Sequence, residues 1–291
     1  MRRLFYFILS HSIFIAFCAS ALSFQTGLLA RISVNCYLLG FIFFATLCGY
    51  NAYWLISRYS FSSITLRSLF VAASSSIFVF ISALVGTLFC YFQLNFVFIN
   101  LAIAVILFVL YLLPILPFKN LGWIKSVGIL KTILLAFAWT IITTLIPLQV
   151  PLWSMKPLIS LLFIHRLLFM LLLCIIFDSR DLAIDKIRGL HSMATVFNPL
   201  LIHILIVFIF TGYMSVNYFM LEEGIGIAHF ISLSFIGLIT LIMYILSLQK
   251  RGYLFYYFGV DGLMFFSTIL TGFSRFFEHW EYYFRLNTSS F

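Results

Sequence analysis

Apolar positions in this chain do not alternate with polar ones. They run on for stretches of about 20 residues and stop at short segments that carry prolines or charges. A run of that length crosses the hydrocarbon of a bilayer as a helix. Strands of a membrane barrel would instead alternate over segments of about 10 residues. Nine runs can be drawn, at 4–24, 36–56, 68–90, 94–114, 126–146, 157–177, 195–215, 226–247 and 254–274. Backbone N–H and C=O groups in lipid must be satisfied within their own segment, so each run is expected to be a helix. The pattern predicts an all-α, polytopic bundle of nine transmembrane helices. Residues 1–291 form one integral membrane domain, with no soluble domain and no long linker.

The interruptions agree with the runs. Pro114 and Pro117 close the fourth, Pro147 and Pro151 follow the fifth, and Pro157 is placed to open the sixth as a first-turn proline. The first run follows Met1, Arg2 and Arg3 and reaches Phe24 without a clear small-residue cleavage site, so it reads as a span rather than a signal peptide.

Composition removes the soluble alternatives. The chain is 64% hydrophobic and 9% charged, against about 25% charged in a soluble domain. Its net charge of +9 points to membrane orientation rather than to nucleic acid, because Lys and Arg collect in cytoplasmic loops. With the N-terminus inside, Arg2, Arg3, Arg58, Arg67, Lys119, Lys125, Arg180, Lys186, Arg188, Lys250 and Arg251 fall on the cytoplasmic side. Arg31, Lys156, Arg275 and Arg285 fall outside, four against eleven. The C-terminus is then expected outside, in an inner (cytoplasmic) or an organellar membrane. The five cysteines are dispersed among the apolar runs with no C-x-x-C, which reads as packing rather than as a disulfide framework or a zinc site.

The acids are unevenly placed. Residues 1–177 contain no Asp or Glu, and then DSRDLAIDKIRGLH, residues 178–191, holds three of the four aspartates. Asp178, Asp181 and Asp185 are spaced i, i+3, i+7 and share one face if the sixth span continues for two turns. Like charges on one face repel. A divalent cation would compensate them, and Mg²⁺ is commonly held by one or two carboxylates together with substrate phosphates. The plainer reading is a solvated loop that anchors the span. Gly189 is placed to stop the helix.

The order DSRDLAIDKIRGLHSMATVF, residues 178–197, resembles the second aspartate-rich motif of the UbiA superfamily of intramembrane prenyltransferases, D-x-x-D-x-x-x-D-x-x-x-G before a Thr. Asp178, Asp181, Asp185, Lys186 and Gly189 match it, and Thr195 matches loosely. Residues 111–139 are similar to the family's fourth-to-fifth helix region, and DGLM at 261–264 to an Asp-Gly met in its last span. The resemblance implies a nine-helix UbiA-type bundle that moves a prenyl group from a prenyl diphosphate to an aromatic or lipophilic acceptor within the membrane. It implies Mg²⁺ held by Asp178, Asp181 and Asp185.

One motif departs from the family. Its first aspartate-rich motif, N-D-x-x-D-x-x-x-D, would fall after the second span, where this chain reads YNAYWLISRYS. Asn51 is kept, and the carboxylate positions are Ala52, Leu55 and Tyr59. Two readings stay open. In one, a single metal cluster works with Asn51 as a neutral ligand and with Arg58, Arg67, Lys119, Lys125 and Lys186 neutralising the diphosphate. In the other, the chain is a non-catalytic relative that binds an isoprenoid or a partner.

Other polar residues stand inside apolar runs. His165 and Arg166 in the sixth span and Asp261 in the ninth are expected to face the interior, paired structurally or contacting substrate. His191 is expected at the interface. A transporter would show two similar halves, and the chain has one aspartate cluster and no convincing repeat. A phosphotransferase acting on nucleotide-linked alcohols is excluded because Leu182 and Ala183 follow the first D-x-x-D.

Overall fold

A computed structural model describes residues 2–61, 74–94, 98–112, 128–188 and 197–288. Among them the regular structure is helical and no strand occurs. After a short helix α1 (Arg2–Ser10), the helices are α2 (Ile13–Ala30), α3 (Cys36–Phe61), α4 (Ser74–Phe92), α5 (Phe98–Leu112), α6 (Gly128–Thr140), α7 (Pro157–Arg188), α8 (Pro199–Glu222), α9 (Ile227–Ser247) and α10 (Asp261–Thr288). Each of the nine predicted spans has a helix in its place. Among the described residues six segments are, by length and composition, long and apolar enough to cross a membrane: Ile13–Ala30, Cys36–Ser57, Ser74–Phe92, Pro157–Arg180, Pro199–Glu222 and Ile227–Ser247. The chain is an integral membrane protein. Pro157 opens α7, where a missing N–H costs nothing.

The first span departs from its predicted limits. The apolar run at 4–24 is broken at Ser12, which takes a left-handed conformation with φ of 61°. That breaks the helix between Ser10 and Ile13. α1 has nine residues, about 14 Å of helix, and cannot cross about 30 Å of hydrocarbon. Hydropathy sees a continuous run because the break lies in one backbone dihedral. The span proper is α2. Asn51 on α3 seals the break, its amide donating to the His11 carbonyl at 3.1 Å.

Neighbours in sequence pack as neighbours in space. α2 packs on α3, α3 on α4, α5 on α6, α6 on α7, α7 on α8, α8 on α9, α9 on α10, and α10 returns to α2. Close approach depends on two glycines. A Cβ on Gly86 would lie 2.7 Å from the Phe44 ring, and one on Gly237 would lie 2.6 Å from Tyr213. The core is made by α2, α6, α7 and the inner face of α10. α4 buries Ser76, Val79, Ala83 and Cys90, packs Gly86 on Phe44, and leaves Phe78, Ile81, Leu84, Val85, Leu88 and Phe89 exposed. The five cysteines are free thiols, with Cys18, Cys90 and Cys174 buried as packing groups.

Among the described residues two π-helical turns adjoin α-helices. α6 widens at Ile141–Leu145 before a last short turn, Ile146–Leu148. Thr140 and Thr143 donate back to the carbonyls of Ala136 and Trp139, each at 2.7 Å, a habit that bends helices. The Thr143 carbonyl accepts from Thr26 of α2 at 2.7 Å. The second π turn, Phe255–Val260, runs directly into α10. Such turns are frequent at functional sites, and this one delivers Asp261.

Candidate functional site at the Asp178 end of helix α7

α7 runs for 32 residues, about 48 Å, and so outruns the hydrocarbon of a bilayer. The surplus is the aspartate-rich stretch, which stays helical to Arg188. Positions 178, 181 and 185 therefore form one stripe, as their spacing predicts. Asp178 is the one of the three whose side chain is described, and its Oδ2 accepts from the Thr132 hydroxyl of α6 at 2.6 Å. That donor fixes the carboxylate where the apolar part of α7 ends.

Arg180 leans the other way, onto aromatic faces. Its guanidinium carbon lies 4.8 Å from the Tyr257 ring centroid, 5.0 Å from Phe177 and 5.6 Å from Tyr256, all within cation–π range. Tyr253 stacks on Tyr257 at 4.2 Å and 25°. Burial holds the Tyr253 phenol above its ordinary pKa; Tyr257 adds to the shift and Arg180 opposes it. Behind this cluster lies Asp261, 3% exposed and within electrostatic reach of both Arg180 and Tyr50.

The interior next to these charges is aromatic. Tyr53 of α3 stacks on Tyr111 of α5, centroids 5.4 Å apart at 26°. Tyr50 of α3 meets the edge of Trp139 of α6 at 6.3 Å. Helices α3, α5, α6, α7 and α10 thus bring rings and charged groups to one end of the bundle. A pocket of about 380 Å³ lined by Pro157, Ser160, Leu161, Phe219, Glu222 and Glu223 opens at the opposite end of α7, away from the aspartates.

The remaining sequence-predicted residues are placed as follows. Asn51 is buried at 3% exposure and donates to the carbonyls of His11 and Leu47, at 3.1 and 2.8 Å. Arg58 on α3 and Asp181, Asp185 and Lys186 on α7 occupy helical positions whose side chains are outside the described set. Arg67, Lys119, Lys125, Gly189, His191 and Thr195 lie outside the described residues, as do Pro114 and Pro117. Among the described residues no group of three or more His, Cys, Asp or Glu side chains forms a metal cluster.

His165 and Arg166 are interior, as expected of ionisable groups in a span. Arg166, 5% exposed, donates from Nη2 to the Gln25 amide oxygen at 2.8 Å, the Thr26 hydroxyl at 3.2 Å and the Leu22 carbonyl at 3.3 Å. Gln25 then donates to the Ser267 carbonyl and hydroxyl and to Thr271, at 3.1, 2.7 and 2.8 Å. This network ties α7 to α2 and α2 to α10. The His165 ring packs on Tyr213 at 4.2 Å. Gln25 and Thr26 are neutral polar residues just past the predicted end of the first run, inside α2, Thr132 is one inside the fifth run, and Tyr50, Tyr53, Tyr256 and Tyr257 are four among 15 tyrosines. Their polarity inside a span is the one mark that could have singled out the first three.

Comparison with known proteins rests on structure. No protein-family model matches the chain, and no curated protein matches it significantly. Two solved structures do. One is an apo structure of a UbiA homolog from Aeropyrum pernix K1, 11% identical, with a TM-score of 0.55 over 93% of this chain and 98% of that one. The other is described as digeranylgeranylglyceryl phosphate synthase in membranes, 13% identical, with a TM-score of 0.53 over 94% of this chain and 98% of its own. The chain therefore has the helical fold of the UbiA-type membrane proteins, over nearly its whole length.

Proposed function

We propose that this protein is a UbiA-type prenyltransferase, which moves a prenyl group from a prenyl diphosphate to an aromatic or lipophilic acceptor inside the bilayer. One observation carries the reading. α7 stays helical beyond its span, so the aspartate stripe that resembles the second UbiA motif stands at the aromatic end of a UbiA-type bundle. The donor set suits magnesium, a hard cation that takes oxygen ligands. Asp178, Asp181 and Asp185 would hold it, with one Asp178 oxygen already oriented by Thr132. Bound there, Mg²⁺ supplies positive charge to the diphosphate.

The chain's own groups divide the remaining work. Arg58, Arg67, Lys119, Lys125 and Lys186 neutralise the diphosphate, and Asn51 offers its amide oxygen as the neutral remnant of the first motif. The carbon–oxygen bond to the diphosphate breaks, a bond from the prenyl carbon to the acceptor forms, and the acceptor gives up a proton. The ring faces of Tyr50, Tyr53, Tyr111 and Trp139 favour the cationic prenyl group and exclude water. Loop charge supports a cytoplasmic N-terminus and a cytoplasmic aspartate end.

A second reading is favoured by Ala52, Leu55 and Tyr59, which replace the first motif's carboxylates. It makes the chain a non-catalytic relative that binds an isoprenoid or a partner. One assay separates the two: purified protein with Mg²⁺, radiolabelled prenyl diphosphates of several lengths and a panel of aromatic acceptors. Transfer that disappears in Asp181→Ala supports the enzyme. No transfer to any acceptor, with diphosphate binding unchanged in Asp181→Ala, defeats both the activity and the site.

A further inference from the structure

α1 is too short to span, and its residues are sorted for a different place. In RRLFYFILS, residues 2–10, positions 2, 3, 6 and 10 fall on one side of the helix and carry Arg, Arg, Tyr and Ser. Positions 4, 5, 7, 8 and 9 cover the rest with Leu, Phe, Phe, Ile and Leu. A helix with cations on one face and aromatic and aliphatic groups on the other rests in a membrane interface rather than across the membrane.

The bundle covers only part of the apolar face. Leu9 is buried at 4% exposure, and the Phe5 ring meets Phe258 of the second π turn at 5.4 Å. Leu4 and Phe7, farther round, stay 65% and 41% exposed. Arg3, Tyr6 and Ser10 are exposed on the polar side. α1 thus presents three sectors: one to protein, one apolar and open, one cationic and open. The Phe258 contact also fixes which end of the bundle α1 occupies. The same π turn sends Tyr256 and Tyr257 to Arg180, so α1 lies at the aspartate end. His11 sets its level. Its Nδ1 donates to the Phe7 carbonyl, and its Nε2 accepts from the Ser75 hydroxyl in the first turn of α4, both at 3.0 Å. α4 has 19 residues, about 28 Å of helix, which matches the hydrocarbon thickness. Its first turn therefore marks the edge of the hydrocarbon, and α1 begins at that edge.

We propose that α1 is an interfacial helix that binds an anionic phospholipid surface at the aspartate end of the bundle. Leu4 and Phe7 enter the acyl boundary, and Arg3, with Arg2 beside it in sequence, meets lipid phosphates. Charge complementarity selects this occupant. Cations beside an open apolar sector suit a layer that carries anionic groups directly above hydrocarbon. Nine residues alone would hold a bilayer weakly. Only His11 and Ser12 separate α1 from α2, so its effective concentration at the surface is high and little intrinsic affinity is needed. The same surface then steadies His11, whose carbonyl accepts from Asn51 of α3 at 3.1 Å. This inference is independent of the prenyl-transfer reading.

The test reads depth at single positions on the full chain in nanodiscs. Leu4→Cys and Tyr6→Cys are spin-labelled one at a time, after Cys36 and Cys48, the two thiols that are not buried, are replaced by serine. Oxygen and a water-soluble nickel chelate are the depth probes, in phosphatidylcholine with and without phosphatidylglycerol. With phosphatidylglycerol, the label at position 4 is expected to meet oxygen and to be shielded from nickel, while the label at position 6 meets nickel. The ratio of inserted to free α1 should fall by about fivefold or more in Arg2→Gln/Arg3→Gln, and likewise in phosphatidylcholine alone. Both labels at equal depth, or a depth that ignores both the anionic lipid and the arginines, overturns the proposal. So does spin–spin broadening that grows with the number of chains per disc, which would make the open face a contact between copies. If the double arginine variant fails to fold, the labelled chain with its arginines intact decides at about 0.5 M salt, where charge is screened within a few ångströms. An unchanged ratio there overturns the proposal, and a fall supports it.

Discussion

Two arginines on α7 stand about four turns apart and meet opposite surroundings. Arg166 lies mid-span, and its Nη2 is met by an amide oxygen, a hydroxyl and a backbone carbonyl from α2. Those acceptors are anchored in turn to α10 and to the π turn of α6. Arg180 lies where the apolar run ends, among ring faces and near a carboxylate. A cation held by fixed acceptors from another helix acts as a clasp, since moving it would strand buried polar groups. A cation seated on rings keeps its orientation through its face and is suited to meet an anion at its edge. The same residue type on one helix thus marks the structural centre of the bundle in one place and the end proposed for the chemistry in the other.

The contrast predicts that substitutions at the two places fail in different ways. The largest effect belongs to the chemical end. Asp178→Ala is expected to lower prenyl transfer by about 100-fold or more and to leave the melting temperature in detergent nearly unchanged. Collapse of the fold in this variant would make the aspartate end structural and dissolve the contrast. Arg166→Met is the converse. It leaves Gln25 and the Leu22 carbonyl without their donor, at a cost of about 1–3 kcal/mol, and removal of a buried charge offsets part of that cost. Thermal melting should fall by a few degrees, while the folded fraction binds prenyl diphosphate as wild type does. A loss of diphosphate affinity at unchanged stability would move Arg166 into the site.

What sequence made legible follows the same division. The aspartate stripe could be placed because its spacing is a property of one helix, and α7 remains that helix to Arg188. The interior position of Arg166 and His165 was legible because charge in lipid must turn inward. The partners of Arg166 were not, because Gln25 and Thr26 stand some 140 residues away in the chain and carry no periodic signal. Nor was the seat of Arg180. It depends on a π turn at Phe255–Val260 that brings Tyr256 and Tyr257 to α7, and hydropathy has no mark for a widened turn. Asn51 shows the remaining gap. Its position in the degenerate motif was legible, but its bond to the His11 carbonyl depends on a break in the first span that one left-handed residue creates.

Thr132 provides the smallest and sharpest division between the two regions. It sits on α6, the helix that carries the clasp's π turn at one end and meets Asp178 at the other. Thr132→Val keeps the shape of the side chain and removes one donor. If the 2.6 Å bond to Asp178 only packs α6 against α7, the loss appears in the melting temperature alone. If it aims a carboxylate that works with Mg²⁺, the loss appears as a shift in the Mg²⁺ concentration that supports diphosphate binding. We expect the second. The Mg²⁺ requirement should rise by about fivefold, the equivalent of roughly 1 kcal/mol for one hydrogen bond, and prenyl-diphosphate affinity at saturating Mg²⁺ should recover to within twofold of wild type. Titration of Mg²⁺ against a fixed concentration of a non-reactive thiolo-analogue of geranylgeranyl diphosphate reads both quantities in one experiment. A midpoint that does not move while the protein melts earlier would make Thr132 part of the packing, and would return Asp178 to the role of an interfacial charge that ends a span.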